Sequence, residues 1–198
     1  SLLHFHDFSH EIIRYMTEFP KVAIQIEATN RQVDLQHEGF DFVIRARSKL
    51  DYPLDFVPVI LAKMQMCIVV HPRWKSSISS DFEQTLSCIP SIVWKGQFDY
   101  SHWSFLDQHN KAVHYKVMPK LIVDDMEMMR QAALNQLGMI MIPEIYVQED
   151  LALGRLISVQ HPELNISESL VHAVHLGHKG MRPAVRHLLN WLKEVTVS

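Results

Sequence analysis

The sequence predicts an α/β protein built as two lobes. Three observations carry this. Short β-rich runs alternate with helix-spaced segments along the whole chain, the pattern of α/β proteins with largely parallel sheets. The strand–helix rhythm breaks twice, near 48–62 and near 160–169. The length of 198 residues with 47% hydrophobic content suits one large domain or two small lobes.

Apolar residues at Phe5, Phe8, Ile12, Ile13, Met16 and Phe19 recur at helical spacing, and Pro20 stops the helix they predict. The run 22–27 is β-rich and short, and predicts a strand. Thr29 and Asn30 are good caps for a short helix from Arg31 to about Glu38, which Gly39 ends. Phe40 to Ala46 predicts a second strand. The stretch 48–58, with Asp51, Pro53 and Pro58, predicts a loop, and Met64 to Val70 a third strand closed by His71 and Pro72. A short helix is expected from Asp81 to Leu86 and a strand from Ile92 to Trp94. His102–Leu106 and Ala112–Val117, joined through Gln108-His109-Asn110-Lys111, predict a hairpin.

A strand at 121–123 precedes a helix that Asp124 opens, with Glu127 completing a box-like cap. Met139 to Ile142 is an apolar strand ended by Pro143. Glu144 to Asp150 is helical, Gly154 turns into a strand from Arg155 to Val159, and Leu170 to Leu176 is a further strand. Pro183 opens a last helix to about Val195, with an apolar face at Val185, Leu188, Leu189, Leu192 and Val195.

Composition excludes several classes. Charged residues are 21% of the chain, with 6 Gly and 9 Pro, unlike a disordered or fibrous protein. Lys and Arg total 19 against 22 Asp and Glu, for a net charge of −3. That balance argues against a free-standing nucleic-acid-binding domain. Cys67 and Cys88 do not form a disulfide framework, which points to a reducing compartment. No run reaches the roughly 18–20 apolar residues of a membrane helix, and no signal peptide is visible. The chain opens on Ser1 without Met, as a fragment would.

The run Phe19-Pro20-Lys21-Val22, then Val33-Asp34-Leu35, then Glu38-Gly39-Phe40-Asp41-Phe42-Val43-Ile44-Arg45 resembles the effector-binding domain of bacterial LysR-type transcriptional regulators. Further segments are similar in the family's order. They are His71-Pro72-Arg73-Trp74, Trp103-Ser104-Phe105, Asp124-Asp125, Leu137-Gly138 through Pro143, and Leu153-Gly154-Arg155-Leu156. The resemblance covers about residues 5 to 195. It implies a two-lobed fold like type 2 periplasmic binding proteins, with a central hinge and an inter-lobe cleft. By resemblance, lobe one is 1–62 plus 168–198 and lobe two is 63–167. Three departures stand out. The family's first strand and the Ser or Thr after it would lie before or at Ser1. The DNA-gripping helix-turn-helix domain is absent from the sequence. His71 and Gln136 stand where the family usually has Ser and Gly.

The candidate ligand-binding residues are Thr29, Asn30, Arg45, His71, Trp94 and Asp124. Helix N-termini near Thr29–Asn30 and at Asp124 offer free N–H groups to a small polar or anionic ligand, and by resemblance they face each other across the cleft. Helix capping alone also accounts for Thr29, Asn30 and Asp124. An anionic Asp124 would weaken an anion there or grip an amine. Arg45 follows an apolar strand, where it either meets a ligand carboxylate, bridges the lobes, or pairs with Asp41, Asp51 or another acid. Trp94, Phe98 and Trp103 either line the cleft for an aromatic or amphipathic ligand or belong to the core. His71 sits at a strand end beside Pro72.

The thirteen histidines, including His4, His6 and His10 and the group His172, His175 and His178, lack neighbours at zinc spacing. No nucleophile elbow or phosphate loop occurs, and Cys67 reads as an inert mid-strand thiol. The expectation is therefore a non-enzymatic, cytoplasmic domain without cofactor or metal, and without a membrane partner. The family resemblance implies that it senses an unidentified small-molecule effector and self-associates into dimers, and into tetramers when full length. DNA would be met only through the absent N-terminal domain, and the helix at 5–19 is a candidate dimer contact. The alternative is a solute-binding protein of a transport system; an enzyme using the histidines is a third class.

Overall fold

The computed structural model describes residues 8–31, 33–47, 50–95, 99–161, 164–177 and 181–196. The chain divides into two compact units, Ser1–Met64 with Ser169–Ser198, and Gln65–Glu168.

The first unit is built on a three-stranded sheet. Strands β1 (Val43–Arg47) and β2 (Phe56–Met64) flank β10 (Ser169–Leu176), and both pairings are antiparallel. The central β10 is buried from Val171 to His175, as a strand covered on both faces must be. Strand β2 begins at Phe56, inside the end of the 48–58 stretch expected to be loop. Pro58 is compatible with it because β2 lies at the sheet edge, where a missing N–H costs no ladder bond. Helix α1 (Phe8–Glu18) buries Phe8, Ile12 and Tyr15, and packs on α5 (Pro183–Thr196), which buries Leu188, Leu189 and Leu192. Tyr15 and Phe19 stack against His187 and Trp191, and the Tyr15 hydroxyl meets His187 Nδ1 at 3.0 Å.

Two expectations fail in this unit. Residues 22–27 form no strand and pair with none among the described residues. Residues 35–37 form a turn, and no helix forms among the described residues of 31–38. The physical reason is competition for backbone donors. The Asp34 carboxylate takes the Gln36 and His37 N–H groups, and Glu38 takes the Asp34 N–H and the Arg31 guanidinium.

The second unit carries a five-stranded sheet ordered β7-β4-β8-β3-β9. Its strands are β3 (Met66–Val70), β4 (Ser91–Trp94), β7 (Pro119–Val123), β8 (Met139–Pro143) and β9 (Ile157–Ser158). Strand β4 runs parallel to β7 and β8, whereas β3 is antiparallel to β8 and β9. With the first sheet wholly antiparallel, the expectation of largely parallel sheets is corrected to mixed sheets. Antiparallel pairs need no helical crossover, so helix–strand alternation alone does not fix strand direction.

Successive residues of this sheet feed two cores. Ile68, Val70, Val93 and Met139 join Phe82, Leu86, Trp103 and Phe105 on one face. Val69, Ile92, Ile140 and Ile142 join Met129, Ala133, Val147 and Leu156 on the other. Helix α2 (Phe82–Cys88) and the hairpin of β5 (His102–Leu106) and β6 (Ala112–Lys116) cover the first face. Helix α3 (Met126–Leu134) covers the second. Gly138 permits a close approach, since a Cβ there would lie 2.1 Å from the Pro90 carbonyl oxygen, while Met139 N–H donates to that same oxygen at 2.8 Å.

The Leu153-Gly154-Arg155-Leu156 segment has a clear physical basis. Helix α4 (Gln148–Ala152) ends at Gly154, whose φ of +68° turns the chain so that the Arg155 N–H reaches the Asp150 carbonyl at 2.8 Å. The fully buried Asp150 carboxylate accepts from Arg130 Nε at 2.5 Å and from Arg155 Nε at 2.7 Å. Burial alone would push this carboxyl up. The two guanidinium groups outweigh it and hold the acid below its usual range.

Candidate functional site

The six candidate residues divide between the units. Thr29 and Asn30 are exposed, and the Thr29 Oγ1 accepts the Arg31 N–H at 3.3 Å. No helix follows them among the described residues, so the dipole argument at that end is withdrawn. Arg45 lies mid-strand in β1, half-buried, and its Nη2 donates to the Val33 carbonyl at 3.1 Å.

The ion-pair alternative for Arg45 is not realised among the described residues. Asp41 instead takes Arg182 at 2.6 Å. Burial, reinforced by Arg47, draws the Arg45 guanidinium below its ordinary value. Arg45 is opposite His172 in the β1–β10 register, and Arg47 opposite Leu170, so Arg45, Arg47 and His172 share one sheet face. Arg47 lies over the Tyr52 ring at 5.4 Å. The Tyr52 hydroxyl is 2.6 Å from His172 Nε2, and His172 Nδ1 is 2.8 Å from the Leu170 carbonyl.

A carbonyl only accepts, so Nδ1 carries the proton and Nε2 accepts from Tyr52. Burial lowers the His172 pKa, with Arg47 and Arg45 acting in the same direction. Sequence reasoning missed Arg47 and Tyr52 as neighbours of Arg45, and weighed His172 only as a metal ligand. The two-residue period of β1 could have found Arg47; His172 joins through strand register, which the sequence does not display, and Tyr52 through its bond to His172.

In the second unit, His71 caps a 3-10 turn, Pro72–Ser77, by accepting the Arg73 N–H at Nδ1 (3.1 Å). Arg73 Nη1 donates to Gln136 Oε1 at 2.7 Å, and Trp74 Nε1 donates to the Gln136 carbonyl at 3.2 Å. The two positions that depart from the family pattern, 71 and 136, thus meet through Arg73. Gln136 holds φ +66°, the left-handed conformation that favours glycine. Its N–H bonds Ala133, and the Leu137 N–H bonds Ala132, which closes α3 with a Schellman motif.

Trp94 ends β4 half-buried against the α3-side core. Trp103 is 1% exposed within the opposite core, which withdraws it as a ligand contact. Phe98 lies outside the described residues. Asp124 is exposed and precedes the true cap. Asp125 takes the Met128 N–H at 2.6 Å, so α3 opens one residue later than expected and Glu127 completes no box.

Among the described residues no group of three His, Cys, Asp or Glu is placed to hold a metal. His4, His6 and His178 lie outside those residues. Cys67 is half-buried, with burial pushing its thiol up to about 12. Among the described residues no helix is long and apolar enough to cross a membrane.

Comparison with curated protein sequences gives no significant match. Solved structures agree in fold at low identity. Full-length AphB, a virulence activator of Vibrio cholerae and member of the LTTR family, superposes with a TM-score of 0.76 at 15% identity over 98% of this chain. This chain spans 65% of that protein's length. The CrgA regulatory domain of Neisseria meningitidis, a LysR-type transcriptional regulator, gives 0.76 at 17% identity, covering 98% of this chain and 94% of that one. The effector domain of the transcriptional regulator AmpR of Pseudomonas aeruginosa gives 0.70 at 15% identity, covering 100% and 92%. The family profile described as LysR substrate binding domain matches residues 8–197. The chain therefore belongs to the LysR substrate-binding domain family, the effector-sensing part of LysR-type transcriptional regulators rather than a solute-binding protein of a transporter.

Proposed function

We propose that this domain binds a small-molecule effector through Thr29, Asn30 and Arg45 in the first unit and His71, Trp94 and Asp124 in the second. It acts without catalysis and without a cofactor. It self-associates into dimers, and into tetramers as part of a full-length regulator in the cytoplasm. An N-terminal domain outside this chain meets DNA. The observation that carries the reading is the family match over residues 8–197. The lobes, 1–62 with 168–198 and 63–167, are supported by unit limits at Met64 and Ser169.

Among the six residues, Arg45 has the strongest physical support, since it brings a half-buried cation with no carboxylate among the described residues. Trp94 supplies an aromatic edge at the carboxyl end of a parallel strand, where α/β sheets bind ligands. The effector acts by population shift: it moves the regulator only as far as its affinities for two arrangements differ.

The test is calorimetric titration of effector candidates into wild type, Thr29→Ala and Trp94→Ala. Wild-type binding with at least tenfold weakening in both variants, at unchanged circular dichroism, is expected. Undiminished binding by both variants overturns the assignment of these contacts.

A further inference from the structure

Two arginines with no carboxylate partner among the described residues lie on one face of the first unit's sheet. Arg45 and Arg47 project from the same side of β1, and each acts electrostatically on His172 and Tyr52. No carboxylate pairs with either arginine among the described residues. Arg130, the comparable part-buried arginine of the second unit, has two bonds to Asp150. The hydrogen bonds of the neighbouring groups are committed. Tyr52 donates to His172, His172 donates to Leu170, and one N–H of Arg45 goes to Val33. The remaining guanidinium donors form a doubly cationic patch on a partly dry surface. Bidentate recognition of an oxyanion is what such forks suit best.

We propose that the effector bound by this domain is an anion, and that Arg45 and Arg47 grip its carboxylate or phosphate group against the Tyr52–His172 pair. The proposal rests on the effector-sensing reading and adds the charge class of the ligand. Arg45 directs the fork because the Val33 carbonyl fixes it. Arg47, held over the Tyr52 ring, supplies the second charge. Neutral His172 aligns Tyr52 without adding a third cation.

The probes are sodium benzoate and inorganic phosphate, titrated at low ionic strength against sodium chloride of matched ionic strength, with the melting temperature as readout. A saturable rise beyond the chloride control is expected for at least one anion. The rise with benzoate alone marks a carboxylate site, and with phosphate alone a phosphate site. Arg45→Gln and Arg47→Gln should each weaken the effect at least tenfold in apparent Kd. Arg186→Gln, an exposed arginine of the same unit, should leave it unchanged. Should Arg45→Gln fold poorly, the exposed Arg47 decides the matter alone. No rise beyond chloride, or equal loss in Arg186→Gln, overturns the proposal. A neutral or cationic effector that binds both arginine variants like wild type also overturns it, and leaves the effector-sensing reading intact.

Discussion

Breaking the Asp150 cluster should cost the second unit a large share of its stability. Asp150 is fully buried and is held by Arg130, 19% exposed, and Arg155, 43% exposed. Removing one partner of a buried ion pair costs roughly 3–5 kcal/mol. Arg155 can rehydrate, so Asp150→Ala belongs at the lower end, about 3 kcal/mol. With a urea slope of about 2 kcal/mol/M, the unfolding midpoint falls by about 1.5 M. A cycle of Asp150→Ala, Arg130→Ala and the double variant should give a coupling of about 2 kcal/mol. The assay is urea unfolding followed by circular dichroism and tryptophan fluorescence.

The pH dependence has a definite sign. Asp150's folded pKa lies below its unfolded value. Its contribution is therefore present above pH about 4 and fades as pH falls through the folded value. The gap between wild type and Asp150→Asn should narrow in that acid range. A loss under about 1 kcal/mol, or a coupling under about 0.5 kcal/mol, would refute the ion-pair account.

Other outcomes are equally specific. Gln136→Gly releases a left-handed penalty of about 1–2 kcal/mol and concedes unfolded-chain entropy of about 0.4–1 kcal/mol. It also loses the Arg73 bond, so the net gain should be about 0.5 kcal/mol, a rise of about 1–2 °C in melting temperature. Gly138→Ala drives a Cβ into the Pro90 carbonyl and should cost about 2 kcal/mol or more in urea unfolding. His172 has a lowered folded pKa, so the unfolded state binds its proton first. Stability should be full above pH about 6.5 and fall as pH drops below it. His172→Gln should flatten that slope in melting curves taken between pH 8 and 5.

Much of the second unit was legible because its signals are local. Near-continuous apolar runs in β3, β4 and β8 mark strands buried on both faces, and the Gln108–Lys111 link marks the β5–β6 hairpin. Where tertiary context decides, the reading failed. Pro58 suggests loop, yet an edge position makes it strand. Thr29 and Asn30 suggest a helix cap, yet Asp34 and Glu38 take the N–H groups that a helix would need. Strand direction in both sheets was not legible either, since it depends on which strands become neighbours. For the site, Arg45 was visible as a misplaced charge after an apolar strand. His172 joins it only through the β1–β10 register, between segments far apart in sequence, and Tyr52 is held there by its bond to His172.

The most direct test of effector sensing is a thermal-shift screen of this domain against aromatic acids, amino acids and sugar acids, with calorimetry on each hit. A true effector at 100 times its Kd stabilises by about 2.7 kcal/mol, which for a domain of this size raises the melting temperature by about 5–11 °C. A saturable rise of that order, with one-to-one binding, is the predicted result. A melting temperature that stays constant across the library, with no calorimetric heat from any member, would contradict the account.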